Sequence, residues 1–269
     1  MQDGLDHAEV AAYLARIGAD RPPAADLAAL RELHVRHLAT VPFENLDIHL
    51  GVPIELDVPA LFDKIVRRHR GGFCYELDGA FAALLAALGF EVTLLSARVF
   101  GPDGRLGPPF DHLALRVELD EPWLADVGFG RHSSYPLRLA ARGEQTDPGG
   151  TFVLAERACG DLDVLRDGQP EYRVDLRPRE LGDFEPTCWW QQTSPASHFT
   201  RSTTCSLPTA TGQLTLSGRK LIRTDHGERR VTVLESDVDV LAAYRDHFGV
   251  VLDRVPEPSP LPTAVGGGE

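Results

Sequence analysis

Over the first 90 residues apolar side chains recur at intervals of three and four, the spacing that gathers them on one face of a helix. Val10, Tyr13, Leu14 and Ile17 form one such stripe, Leu27, Leu30 and Leu38 a second, and Val58, Leu61, Phe62, Ile65 and Val66 a third. Asp57 offers an N-cap to the third helix, and Pro59 is tolerated in its first turn. A fourth helix is predicted from about Cys74 to Leu88, with Phe81, Leu84, Leu85 and Leu88 on one side and Gly89 as its stop. Together these predict a small helical bundle.

After Phe90 the period shortens. EVTLLSARVF, HLALRVELD and WLADVGFG are alternating or β-branched runs separated by turn chemistry, GPDGRLGPP and DEP. Short runs of the same kind continue through TFVLAE, EYRVDL, FTRSTTCSL, QLTLSG, KLIRT and RRVTVLE. They predict an antiparallel β-barrel or strongly curved sheet. SDVDVLAAYRDHFG reads as a helix capped by Ser236 with Asp239 three residues on. The stretch PEPSPLPTAVGGGE, residues 256–269, has no apolar period and is expected to be disordered.

Charge narrows the function classes. The chain of 269 residues carries 27 Lys and Arg against 40 Asp and Glu, a formal net charge of −13. That balance argues against a broad face for nucleic acid or an anionic membrane. No apolar run approaches the roughly 18 to 20 residues of a membrane-spanning helix. Acids stand at the N-terminus where a secretory signal would be basic, so a cytoplasmic protein is expected. The four cysteines, Cys74, Cys159, Cys188 and Cys205, form no C-x-x-C pair, which removes a zinc ribbon and a disulfide scaffold and leaves reduced thiols.

Arg70-Gly71-Gly72-Phe73-Cys74-Tyr75-Glu76 brings a glycine pair into the start of a helix, with Cys74 in its first turn. The partial positive charge there favours a thiolate, the nucleophilic form. A cysteine is also among the most buried residue types, so the segment alone fits a loop end equally well. A nucleophile needs a base and the base an orienting acceptor. His112 opens one strand and Asp126 closes the next, so neighbouring strands could bring them to Cys74, although each also reads as an ordinary strand-end or turn residue. His34 and His37 lie three apart on a helix without an acidic or cysteine partner at ligand spacing, so they read as surface or interface residues and no metal is expected. Cys159, Cys188 and Cys205 read as structural, and Lys64, Arg67, Arg68 and Arg70 as a helix face that could meet phosphates.

Taken in order, these segments resemble the arylamine N-acetyltransferase family. The resemblance is carried by Val41-Pro42-Phe43-Glu44-Asn45-Leu46, the Arg70–Glu76 segment, Asp111-His112, Leu124-Ala125-Asp126-Val127-Gly128-Phe129-Gly130 and Gln192-Thr193-Ser194-Pro195, across most of the chain. It implies an α+β fold with a cysteine-protease-like Cys-His-Asp core. The helical domain would span residues 1–89, a β-barrel domain 90–190 and an α/β lid 191–255. It further implies ping-pong acetyl transfer from acetyl-CoA to an arylamine or hydrazine through a thioester on Cys74, with His112 and Asp126 completing a triad and no metal. Phe43, Phe129 and Phe199 would surround the acyl and amine pocket, while Arg70 and Glu76 would support the nucleophile loop.

Two positions depart from the family pattern. Asp111 stands where Thr is frequent and Asp78 where Asn is common. A carboxylate beside His112 is expected to raise the imidazole's pKa and to disfavour an anionic part of the donor. The alternative on the same scaffold is an amide synthase that releases a polyketide chain as a macrolactam. A non-catalytic aromatic binder and a cysteine peptidase or transglutaminase are the readings from other classes.

Overall fold

The structure is a computed structural model that describes residues 4–257. Helix α1 (His7–Ile17) starts on a reciprocal cap, in which Asp6 accepts the Glu9 N–H at 2.8 Å and Glu9 accepts the Asp6 N–H at 3.1 Å. Helix α2 (Leu27–Thr40) is capped by Asp26. A two-residue strand, β1 (Phe43–Glu44), leads into the short α3 (Leu46–Leu50). Helix α4 (Val58–Phe62) has the Asp57 cap read from the sequence and runs on as a π turn, Asp63–Arg67. Helix α5 (Cys74–Ala87) is buried on every side through its first two turns, because it lies between the other helices and the sheet that follows.

That sheet has the strand order β5-β4-β3-β2-β9-β8-β7-β6 and is antiparallel throughout. Its strands are β2 (Glu91–Val99), β3 (His112–Glu118), β4 (Pro122–Ala125), β5 (Leu137–Arg138), β6 (Gln145–Asp147), β7 (Gly150–Glu156), β8 (Leu162–Arg166) and β9 (Gln169–Arg179). The alternation in β3 has a physical destination on both faces. Leu113, Leu115 and Val117 join the helical core, while Ala114 joins a second core inside the sheet with Leu95, Ala97, Phe152 and Tyr172. The helices and this barrel-like sheet make the α+β fold that the resemblance implied and that the change of period agreed with.

A five-stranded antiparallel sheet follows, in the order β1, β10 (Cys205–Thr209), β11 (Gly212–Ser217), β12 (Lys220–Asp225), β13 (Glu228–Val233). Helix α7 (Asp237–Phe248) begins on the Ser236 cap and packs Val240, Tyr244 and Phe248 against Leu214 and Leu216. Since β1 pairs with β10, Phe43 opposite Ser206, the segment between α2 and α3 is stitched to this sheet. No helix among the described residues is long and apolar enough to cross a membrane.

The structure corrects several local readings. FTRSTTCSL is not one strand: residues His198–Thr200 form a 3-10 turn and pairing begins only at Cys205. The stretch before it contains α6 (Glu185–Thr193), whose apolar spacing is too sparse to have signalled a helix. Of the tail expected to be disordered, 258–269 lie outside the described residues, and Pro256 is buried.

Candidate active site

The glycine pair is explained by how closely two backbones meet. The Gly72 N–H donates to Pro42 O at 3.3 Å, and the Glu44 N–H donates to Gly72 O at 2.8 Å. A Cβ on Gly71 would lie 1.8 Å from Pro42 O, so only glycine permits the approach. The chain then turns into α5, where Glu76 accepts the Phe73 N–H at 3.2 Å and presents Cys74 at the first helical position.

Beneath this turn lies a buried charge network. Lys64 Nζ meets Glu76 at 2.5 Å and Asp47 at 2.8 Å, and Arg70 meets Glu44 at 2.7 Å and Asp47 at 2.9 Å. Burial alone would lower Lys64, but Glu76, Glu44 and Asp47 hold it charged. Glu76 is pushed up to about 7, by burial first and by its like-charged neighbours Glu44 and Asp47, against the pull of Lys64. Lys64 is therefore not part of a solvent-facing basic run. The exposed Arg67 and Arg68 pair with Glu9 and Asp63. Arg70 and Glu76 make their polar contacts inside this network and to the Phe73 N–H, beneath the turn that carries Cys74.

The register of the barrel-like sheet delivers the other two side chains. Leu115 of β3 lies opposite Ala125 of β4, so continuing that register puts His112 and Asp126 in diagonal positions on one face. His112 Nε2 stands 2.8 Å from Asp126 Oδ2, with both side chains almost wholly buried. Burial would raise Asp126, yet the neighbouring imidazole holds it well below the usual carboxylate range. Tyr75 of α5 donates its O–H to Phe110 O at 2.8 Å. That fixes the backbone ahead of His112 at a residue whose φ is +60°.

Cys74 and His112 share the wall of a cavity of about 400 Å³ with Phe43, Phe129 and Phe199, so all six predicted site residues except Asp126 line it. Phe129 meets the His112 ring edge to face at 5.2 Å, and Phe43 lies 6.2 Å from Phe199. Burial pushes the Cys74 thiol up, opposed by the Leu113 N–H and reinforced by Asp78, Asp111 and Asp126. An isolated thiolate is thus disfavoured here, and a nearby proton acceptor would ease its formation.

The two departures from the family pattern occupy definite places. Asp111 is in the cavity wall, and its carboxylate accepts from Gln191 Nε2 at 2.7 Å. Asp78 accepts the Val127 N–H at 2.9 Å through Oδ1, while its Oδ2 is buried without a hydrogen-bond partner. Burial and then the charge of Asp126 push Asp78 well up. Gly128 is required beside it, since a Cβ there would sit 2.2 Å from Asp78 Oδ2 and 2.6 Å from Cys74 Cα. Asp78, His112 and Asp126 each bring one polar atom within 4.8 Å of the others, a spacing open to a cation. The same groups are engaged by hydrogen bonds, through the His112–Asp126 pair and the loop's backbone N–H groups.

Periodicity missed other residues of the site. His34 and His37 are not surface residues: both are fully buried, His37 against Tyr13 at 3.0 Å and His34 against the Asp126 backbone at 3.3 Å. Asn45 donates to Phe199 O and Ser202 O, both at 2.9 Å, and accepts the Thr204 N–H at 2.7 Å, fixing the segment that carries Phe199. Its signal was already present in the VPFENL run, as an amide among apolar neighbours. Cys188 and Cys205 are buried, whereas Cys159 is exposed in a turn and packs no core.

Known proteins share this chain's sequence and fold. A family model described as N-acetyltransferase matches residues 26–256. An arylamine N-acetyltransferase of Mycolicibacterium smegmatis is 36% identical over 260 residues, covering 91% of this chain and 92% of that protein. Among solved structures, the arylamine N-acetyltransferase from Salmonella typhimurium superposes with a TM-score of 0.85 at 31% identity, covering 95% of this chain and 96% of the other. The Mycobacterium marinum arylamine N-acetyltransferase in complex with CoA gives 0.82 at 32% identity, covering 90% and 92%.

Proposed function

The chain belongs to the arylamine N-acetyltransferase family, and from that premise we propose that it transfers an acetyl group from acetyl-CoA to an arylamine or hydrazine through an acetyl-Cys74 thioester. The observation that carries this reading is the buried His112–Asp126 pair at 2.8 Å, opening on the same apolar cavity as the helix-start cysteine.

Because Asp126 engages Nε2, Nδ1 is the ring atom left to take the Cys74 proton. Asp126 then balances the charge on the imidazole, so thiolate and imidazolium form together in a site where burial opposes a lone thiolate. The sulfur attacks the thioester carbonyl, with the Cys74 N–H at the start of α5 as an oxyanion donor. The tetrahedral intermediate collapses, the C–S bond to CoA breaks, and the leaving thiolate takes the proton from His112. In the second half the amine nitrogen attacks the acetyl-Cys74 carbonyl and gives its proton to His112. The amide leaves, Cys74 is regenerated, and no metal or redox partner is needed for the balance.

The cavity volume suits an acetyl group with a small aromatic amine stacked among Phe43, Phe129 and Phe199. The test is intact-mass measurement after mixing with acetyl-CoA alone, which should show one acetyl group that Cys74→Ser abolishes and that an arylamine discharges as its amide. A chain that stays unmodified by acetyl-CoA but accepts an acyl group from a carrier-protein thioester would replace this reading with the amide synthase. Parallel double-reciprocal plots with both substrates varied are the kinetic counterpart.

A further inference from the structure

His34 takes no part in that chemistry, yet its ring is wholly buried 3.3 Å from the main chain of Asp126. The Asp126 N–H can only donate, so Nε2 must be bare. The carbonyl of Ser134 can only accept, and it lies 3.0 Å from Nδ1, so Nδ1 must carry the hydrogen. Both bonds together allow one state, the neutral Nδ1–H tautomer. Burial supports it by pushing His34 down to about 4, against the pull of the Ser134 carbonyl bond and then of Asp126 and Asp147, and with the help of His132.

The two anchor points are residues 126 and 134, the ends of the loop that contains Gly128 and Phe129. The ring also packs edge-on to Phe81 of α5, the helix that begins with Cys74. One imidazole on α2 thus ties the loop that carries Asp126 to the helix that carries the nucleophile. Asp126 is then held at three atoms: its N–H by His34, Oδ1 by the Gly128 N–H at 3.1 Å, and Oδ2 by His112.

We propose that His34 is a positioning residue for Asp126, fixing its main chain so that the carboxylate stays aimed at His112. This rests on the acyl-transfer reading only for what the positioning is for; the positioning itself is independent of the acyl donor.

The first measurement uses the unaltered chain labelled with 15N-histidine. Long-range 1H–15N correlation should show His34 neutral with Nδ1 protonated from about pH 5.5 to 8. An Nε2–H tautomer or a charged ring in that range overturns the proposal. The second compares His34→Phe, which keeps a flat ring without nitrogen, with His34→Gln, which can restore an acceptor and a donor. Removing a residue that orients a reacting group costs about 10- to 100-fold. The Phe variant should therefore lose that much in kcat and in the rate of Cys74 alkylation by iodoacetamide, with the KM for the amine within about twofold, and the Gln variant should recover most of it.

A folded Phe variant that alkylates at the normal rate overturns the proposal. Should the Phe variant fail to fold, the tautomer and the Gln variant still decide. Alkylation needs no acyl donor, so loss of alkylation in a protein that never accepts acetyl from acetyl-CoA would sink the acetyltransferase reading and leave the role of His34 standing.

Discussion

Asp126 is where the site's electrostatics converge. Replacing it by Asn keeps the shape but gives His112 Nε2 an amide that can face it with either end, so the tautomer is no longer fixed. Acetylation of Cys74 should then slow by about 10³- to 10⁴-fold while the fold survives, which stopped-flow acylation with a circular dichroism control would show. Asp78 is the opposite case. Its carboxyl is raised in the folded chain by burial and by Asp126, so its stabilising contribution is fully present below the unfolded pKa and is lost as pH rises through the folded value. Asp78→Asn keeps an acceptor for the Val127 N–H and removes the titration. Its urea midpoint should exceed the parent's more at pH 8 than at pH 5, and a gain independent of pH would contradict a proton-linked Asp78. From the sequence Asp78 was visible as a departure from the family's Asn, but its environment was not, since that depends on a loop 49 residues further on.

Among the elements, the junction of β1, the glycine pair and α5 sets both stability and reactivity. Gly71→Ala should cost more than about 4 kcal/mol or prevent folding, because the added methyl meets a backbone carbonyl that β1 pairing holds in place. Soluble yield and a thermal melt would check it. Glu76, raised from 4.5 to about 7, removes stability as pH climbs between those values, by roughly 3 kcal/mol for an unscreened buried group. Chemical denaturation across that range should show the slope, and Glu76→Gln should flatten it. The longer helices and most strands were legible because burial on one face writes a period into the sequence. The five residues of α3 are too few to show one, and the barrel's two-residue β5 has none at all. His34 and His37 misread for a related reason: polar residues on a buried face interrupt the apolar stripe, and what satisfies them comes from other elements, such as Ser134 and Tyr13. Cys74, His112 and Asp126 stood out in three short runs in order, yet what brings His112 to Asp126 is a register between β3 and β4 that no single run contains.

For the molecule as a whole, the net charge of −13 meets a donor that carries phosphates. The residues that line the Cys74 cavity include Asp111 and two histidines but no Lys or Arg. Lys64 and Arg70 are spent inside the charge network, and Arg67 and Arg68 already face Asp63 or Glu9. That balance predicts a negative field along the approach of an anionic thioester, and repulsion of that kind slows encounter until salt screens it. Raising ionic strength from about 10 mM to 150 mM, where the screening length falls from about 30 Å to 8 Å, should raise kcat/KM for acetyl-CoA several-fold. An uncharged aryl acetate ester offered as the donor should respond little. The contrast between the two donors isolates charge from any general effect of salt on the enzyme. If salt instead lowered kcat/KM for acetyl-CoA alone, the phosphates would be meeting a locally basic surface that outweighs the global balance. Charge reversal of individual exposed arginines, read by the same two-donor comparison, would then locate it.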